Sequence, residues 1–147
     1  MASVLTGEGY RDTGLTVNEL EILRHCREYF ALPPTSERTA IVGVLLVVGQ
    51  QAIRLMSGRQ GGPYGGTQRG GFGRGTGSGF NRFTLTHVEG HAAATMKVRN
   101  ISRATLLIEL PPCGSCDPLL PRMLPVGARL EVVYPEDTTY YWSCQRV

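Results

Sequence analysis

Residues 104–116 read ATLLIELPPCGSC, and this stretch contains the strongest structural signal in the chain. Its first seven residues are mostly apolar and have the length of one buried β-strand. Two prolines end that strand, because proline lacks the backbone N–H that a sheet needs. A short helix is predicted from near Cys113, with Pro118 in its first turn and a break or tightened turn at Pro121. The stretch therefore predicts a strand, a proline stop and a helix start in direct succession.

Helices and strands alternate on both sides of this stretch. Upstream, small residues favour a helix over residues 87–98, and downstream two further strands are predicted at 129–134 and 138–144. At the N-terminal side, β-branched residues at 39–48 predict a hairpin whose second strand spans 51–56. This order predicts an α/β domain with a mixed sheet of about five strands flanked by helices.

A further helix and a turn complete the prediction. Thr16 and Glu19 have the spacing of a capping box, so a helix is expected to begin at Thr16 and to end before Pro33. Glycine stands first in the pair Gly49-Gln50, which suits a two-residue hairpin turn.

The composition bounds the possible classes of protein. The chain has 147 residues and a hydrophobic fraction of 41%, which indicates one globular domain. Its longest apolar run, residues 40–48, is too short to span a bilayer, so no membrane association is expected. The first eight residues have neither a basic start nor an apolar stretch, so no signal peptide is predicted.

Positive charge is concentrated in one part of the chain. Six arginines and no acidic residue lie between Glu37 and Glu89, which predicts a polyanionic partner. Half of residues 58–79 are glycine, so a loop without regular structure is expected there. Two interpretations stay open for this loop: a flexible surface segment, or arginines that grip phosphates beside aromatic rings that stack on an unpaired base.

The motif that carries chemistry combines His87-Val-Glu89 with Pro112-Cys113-Gly-Ser-Cys116. This pairing is the signature of zinc-dependent nucleobase deaminases. Zinc can take one imidazole and two thiolates and keep its fourth position for water. We therefore expect His87, Cys113 and Cys116 to bind Zn²⁺ and Glu89 to move protons.

Three other interpretations of these residues compete with a catalytic zinc site. A structural zinc site would need a fourth protein ligand, for which His91, one helical turn after His87, is the nearest candidate. A metalloprotease helix would need glutamate at position 88, which is Val88. A redox pair at the two cysteines would need no upstream histidine or glutamate. The remaining thiols, Cys26 and Cys144, are expected to be buried and unpaired.

Two longer stretches resemble a known family. The segments HVEGHAAATM at 87–96 and PCGSCDPLLPRMLP at 112–125 look like the bacterial toxin cytosine deaminases, the SCP-like group that includes the double-stranded DNA deaminase toxin. The resemblance also covers LMSG at 55–58 followed by Gly62-Pro63. Because it does not reach the first residues, residues 1–31 are predicted to be an N-terminal extension and 32–147 the deaminase domain.

The resemblance implies a cytidine-deaminase-like fold and conversion of cytosine to uracil in DNA. It also implies a secreted toxin effector that acts in the cytoplasm of a target cell and is neutralised by an immunity protein. By position, Asn81 would bind the sugar or the base edge. Together with the interpretations above, the residues predicted to contact substrate are Arg74, Phe80, Asn81, Arg82, Phe83, Val88, Pro112 and Ser115.

The substrate prediction favours single-stranded DNA, because extruding a base from a duplex costs a few kcal/mol and no wedge residue is evident. Double-stranded DNA, RNA, a free nucleoside and a purine base remain alternatives within the enzymes. From another class, a non-catalytic module that keeps zinc for stability and binds nucleic acid is the main alternative. Such a module could dispense with Glu89, and the arginine block argues against a free nucleoside.

Overall fold

A computed structural model describes residues 10–33, 40–58, 61–63, 80, 84–114 and 116–144. The strands are β1 (Val42–Leu46), β2 (Ile53–Met56), β3 (Arg103–Ile108), β4 (Arg129–Val133) and β5 (Thr138–Trp142). The helices are α1 (Val17–Tyr29), α2 (Val88–Arg99) and α3 (Leu120–Met123), with a 3-10 turn at Thr84–Thr86. The predicted alternation of helices and strands is confirmed.

The strands form one mixed sheet in the order β2-β1-β3-β4-β5. Strands β3 and β4 are parallel, and every other neighbouring pair is antiparallel. The mostly apolar stretch that begins at Ala104 lies in β3, the central strand of the sheet. Its carboxyl end leads directly to the two cysteines.

Helices cover both faces of the sheet. On one face, Leu23 and Cys26 of α1 pack against alternate residues of β1, β3 and β4. On the other, α2 and α3 pack against the intervening residues, including Leu45 and Leu106. Because successive side chains of a strand point to opposite faces, each central strand contributes to both cores. The result is the three-layer α/β arrangement that the sequence predicts.

The first helix is closely attached to this sheet. Its capping box is confirmed: the Thr16 hydroxyl accepts from the Glu19 N–H at 3.2 Å, and the Glu19 carboxylate accepts from the Thr16 N–H at 2.9 Å. Arg27, buried on α1, forms an ion pair of 2.8 Å with Glu109, which follows β3. The proposed division at residue 31 stays a prediction, although α1 and the sheet share one core.

Two local predictions were wrong. In the hairpin, the N–H of Gln50 donates to the carbonyl of Val47, so Gly49 is the second central residue of the turn. Its φ of +77° explains the need for glycine there. Downstream of β3, no helix begins at Cys113. A series of turns leads to α3, and Pro121 lies in the first turn of that helix, where its missing N–H costs nothing.

The prediction that Cys26 and Cys144 are both buried is correct for only one of them. Cys26 is buried, whereas Cys144 lies exposed just after β5, and all four cysteines are unpaired. Among the residues the structure describes, no helix has the length and apolarity needed to cross a membrane.

Candidate metal centre

His87 stands immediately before α2. Its extended backbone, with φ −94° and ψ 155°, makes it the N-cap of that helix. The 3-10 turn leads into it, and the His87 N–H donates to the carbonyl of Thr84 at 3.3 Å. The side chain points out of the helix toward the loop after β3. His87 Nδ1 lies 3.0 Å from Cys113 Sγ and 3.3 Å from Cys116 Sγ.

The two cysteines are presented by a tight turn. The N–H of Cys116 donates to the carbonyl of Cys113, and it lies 3.2 Å from the Cys113 sulfur as well. Both cysteines precede α3, so they are held by this turn and not by a helix N-terminus.

The three side chains fit a zinc ion. Their ligand atoms all lie within 4.8 Å of one another. A tetrahedral zinc ion with ordinary Zn–N and Zn–S lengths separates its ligand atoms by about 3.5 Å. The observed nitrogen–sulfur distances are close to that value. Cys113 and His87 are half-buried and Cys116 is buried, so one side of the site is accessible.

Burial controls the protonation of one thiol. Desolvation raises the pKa of Cys116 well above its ordinary value, and the nearby Glu89 carboxylate adds to this effect. Without a cation, Cys116 is therefore a neutral thiol at physiological pH. A bound divalent cation would have to displace that proton.

Glu89 lies in the first turn of α2, with 4% of its surface exposed. Its Oε2 accepts a hydrogen bond of 2.9 Å from the backbone N–H of Cys113. Glu89 is not among the ligand group formed by the described residues. The carboxylate is thus fixed beside the metal ligands without being one of them, as the sequence motif predicts.

The structure gives His91 a different place. Its Nε2 lies 2.6 Å from the carbonyl oxygen of Gly58, away from the cysteines. Within the described part of the chain, the ligand group therefore has three members and no fourth. This arrangement argues against the closed structural zinc site and leaves a coordination position for water.

The other predicted contact residues fall into two groups. Phe80 and Val88 are 1% and 2% exposed and belong to the core, and their contacts with substrate stay predictions. Pro112 is half-buried beside Cys113. The remaining five, Arg74, Asn81, Arg82, Phe83 and Ser115, lie outside the described residues.

Tyr141 and Asp117 form a second support of the cysteine turn, which was not predicted from the sequence. The Tyr141 hydroxyl of β5 donates to the carboxylate of Asp117, whose N–H donates to the Cys113 carbonyl at 2.9 Å. Burial raises the pKa of Tyr141, and the Asp117 carboxylate raises it further. Alternation along β5 could have placed Tyr141 on the inner face, but no local pattern identifies its partner.

One comparison with known proteins is informative. The model of the SCP1.201-like deaminase family matches residues 43–144, from β1 to the end of the last strand. Both halves of the candidate metal centre fall within the match. No curated protein matches the sequence.

Proposed function

Because the chain belongs to the SCP1.201-like deaminase family, which makes it a hydrolytic deaminase, we propose that it converts cytosine to uracil in DNA with the help of zinc. The observation that carries this proposal is the position of Glu89, bonded to the N–H of Cys113 next to a His/Cys/Cys ligand group. A purely structural zinc site does not need a proton-transfer group beside its ligands.

Each residue of the centre has a defined part in the reaction. His87, Cys113 and Cys116 would hold zinc, which when bound supplies Lewis acidity that makes water a nucleophile near neutral pH. Glu89 accepts a proton from the attacking water and delivers protons to the ring nitrogen and to the departing amino group. The C4–oxygen bond forms, the C4–N bond breaks, and ammonia leaves.

The backbone N–H of Cys113 holds the Glu89 carboxylate in position for proton transfer. This N–H binds Oε2, which leaves Oε1 as the oxygen that exchanges protons. Because the donor belongs to a ligand residue, the carboxylate keeps its position relative to the metal throughout the cycle. Pre-positioning of this kind lowers the entropic part of the barrier.

DNA is supported as the substrate by charge and by resemblance. The arginine block between Glu37 and Glu89 suits a polyanion, and the motif segments resemble toxin deaminases that act on DNA. Single strands are favoured because base extrusion is then less costly. The same resemblance supports a role as a toxin effector with a cognate immunity protein. Duplex DNA, RNA or a free nucleoside would appear as other outcomes of the test.

The test is uracil formation in matched oligonucleotides. Wild-type protein and Glu89→Ala are incubated with single- and double-stranded DNA that presents cytosine in every neighbouring context, and uracil is detected by glycosylase cleavage. Zinc content is measured in both samples. Product from wild type alone supports the proposal and identifies the strand form. Zinc-loaded wild type that yields no product from either DNA form would overturn the DNA proposal, and parallel RNA and nucleoside reactions would then define the substrate.

A further inference from the structure

His91 is a buried titratable group close to the metal centre that the proposed reaction does not use. It has 0% of its surface exposed and lies one helical turn after His87. Its Nε2 approaches the carbonyl oxygen of Gly58 to 2.6 Å. A carbonyl can only accept, so Nε2 carries the proton and the ring is the neutral Nε2–H tautomer. Within the described part of the chain, Nδ1 has no hydrogen-bond partner, so the ring makes this one directional contact.

The partner of His91 is bonded on both sides. The Gly58 N–H donates to the carbonyl of Thr86 at 2.6 Å, and the Gly58 carbonyl accepts from His91. Thr86 directly precedes His87, and the His91 N–H donates to the His87 carbonyl at 2.9 Å. The hydrogen bonds therefore form a closed ring, from Thr86 through Gly58 and His91 to His87.

This ring adds support to the N-terminal end of α2. In the described structure, the His87 side chain makes no capping hydrogen bond, because it points toward the cysteines. The direction of that side chain is set by the backbone at residues 86 and 87. Gly58 holds the carbonyl of residue 86, and His91 holds Gly58.

The turn after β2 is shaped to fit the imidazole. A Cβ atom added at Gly62 would lie 2.7 Å from His91 Nδ1 and 2.8 Å from His91 Cβ. At Gly61 it would collide with the backbone carbonyl of Met56, whose own N–H donates to the Gly61 carbonyl at 2.7 Å. Two consecutive glycines thus allow the turn to close tightly around the ring.

We propose that His91 is a positioning residue for the metal centre: its Nε2–H bond to Gly58 fixes Gly58 against the N-terminus of α2 and thereby orients His87 toward Cys113 and Cys116. The inference rests on the metal site of the proposed function but not on its substrate. A histidine that merely filled space would need its volume and not its donor.

The experiment measures metal affinity in variants that separate donor from volume. Metal-free wild type, His91→Gln, His91→Asn and His91→Leu are titrated with Co²⁺ and then Zn²⁺, and the thiolate charge-transfer and d–d bands of Co²⁺ are recorded. The glutamine amide reaches the position of Nε2, the asparagine amide only that of Nδ1, and leucine fills the space without a donor. His25→Gln, on the exposed face of α1, is the matched control.

Glutamine is expected to retain wild-type affinity within about threefold and an unchanged Co²⁺ spectrum. Asparagine and leucine are expected to bind zinc about 10–100-fold more weakly and to shift the spectrum, as is usual when the support of a ligand is removed. If asparagine binds as well as glutamine, the proposal is overturned, even if the leucine variant does not fold. Deaminase activity plays no part in this readout, so a failure of the DNA proposal would leave the result interpretable.

Discussion

The Oε2 atom of Glu89 accepts a hydrogen bond of 2.9 Å from the backbone N–H of Cys113, a residue 24 positions further along the chain. This bond joins the first turn of α2 to the turn after β3. It implies that Glu89 has a structural task that can be separated from its chemical one.

Replacing Glu89 with glutamine should separate these tasks. The amide oxygen can still accept from Cys113, so Glu89→Gln should keep the fold and bind zinc as wild type does. Activity should fall by at least about 10²-fold, the usual minimum contribution of a positioned proton-transfer group. Zinc content and uracil formation are measured together. A glutamine variant that retains most of the activity would contradict the assigned role.

Zinc binding should release at least one proton at neutral pH. Burial raises the pKa of Cys116, so its thiol is protonated in the metal-free protein and must lose that proton on coordination. Affinity should therefore increase with pH. Calorimetry in buffers of different ionisation enthalpy counts the protons, and Cys144→Ser, at an exposed thiol, is the control. A binding heat that does not depend on the buffer would disprove the expectation.

A methyl group at Gly43 should disturb the metal centre through Val88, which packs against this position of the sheet. In β1, an added Cβ would lie 2.6 Å from Cγ1 of Val88, the residue after His87. Because β-branched Val88 is stiff, Gly43→Ala should lower the free energy of unfolding by about 1–3 kcal/mol and also weaken zinc binding. Gly114→Ala is the control: among described residues, its Cβ would meet nothing within 4 Å. Equal effects of the two changes in urea unfolding would contradict this reasoning.

The ion pair between α1 and the sheet should contribute strongly to stability. Arg27 and Glu109 lie 2.8 Å apart with side chains 7% and 8% exposed. Arg27→Met would leave a buried carboxylate without its charged partner, which costs about 3–5 kcal/mol. Arg24→Met, which removes only exposed ion pairs on the same helix, should leave the urea midpoint unchanged. A loss no larger than that of the control would show that α1 is held by apolar contacts alone.

Acid should destabilise the fold in part through His91. Burial lowers its pKa below the ordinary value of 6.5. Above about pH 6.5 the ring is neutral in both folded and unfolded chains. As the pH falls through 6.5, the unfolded chain takes up a proton that the folded chain refuses, so stability is lost at up to about 1.4 kcal/mol per pH unit until the lowered pKa is reached. Metal-free His91→Gln should lose less stability between pH 7.5 and 5.5 than wild type, and parallel losses would contradict this prediction.

Local sequence patterns account for the structural predictions that were correct. The Thr16–Glu19 capping box and the strand signal of β3 each depend on residues close in sequence, and both predictions are confirmed. The spacing of Cys113 and Cys116 is equally local, and both thiols lie with His87 in a group that could hold a metal ion. The order of elements was then enough to predict a mixed, five-stranded sheet.

The contacts that could not be predicted from the sequence join residues that are far apart along the chain. Tyr141 and Asp117 are 24 residues apart, and His91 and Gly58 are 33 apart. Neither pair has a local signature, because hydroxyl, imidazole and carbonyl groups have many possible partners. The burial of Phe80 also depends on distant contacts: an aromatic residue beside a glycine-rich loop suits a binding surface as well as a core, and the packing decides between them.

The ligands of the candidate centre all lie between residues 87 and 116, within one helix–strand–turn unit of the chain. Closing a loop of this length costs about 3 kcal/mol of chain entropy, and ligands drawn from the whole chain would cost more. The edge strands β2 and β5 supply none of these ligands. The metal can therefore be captured early in folding by a compact segment.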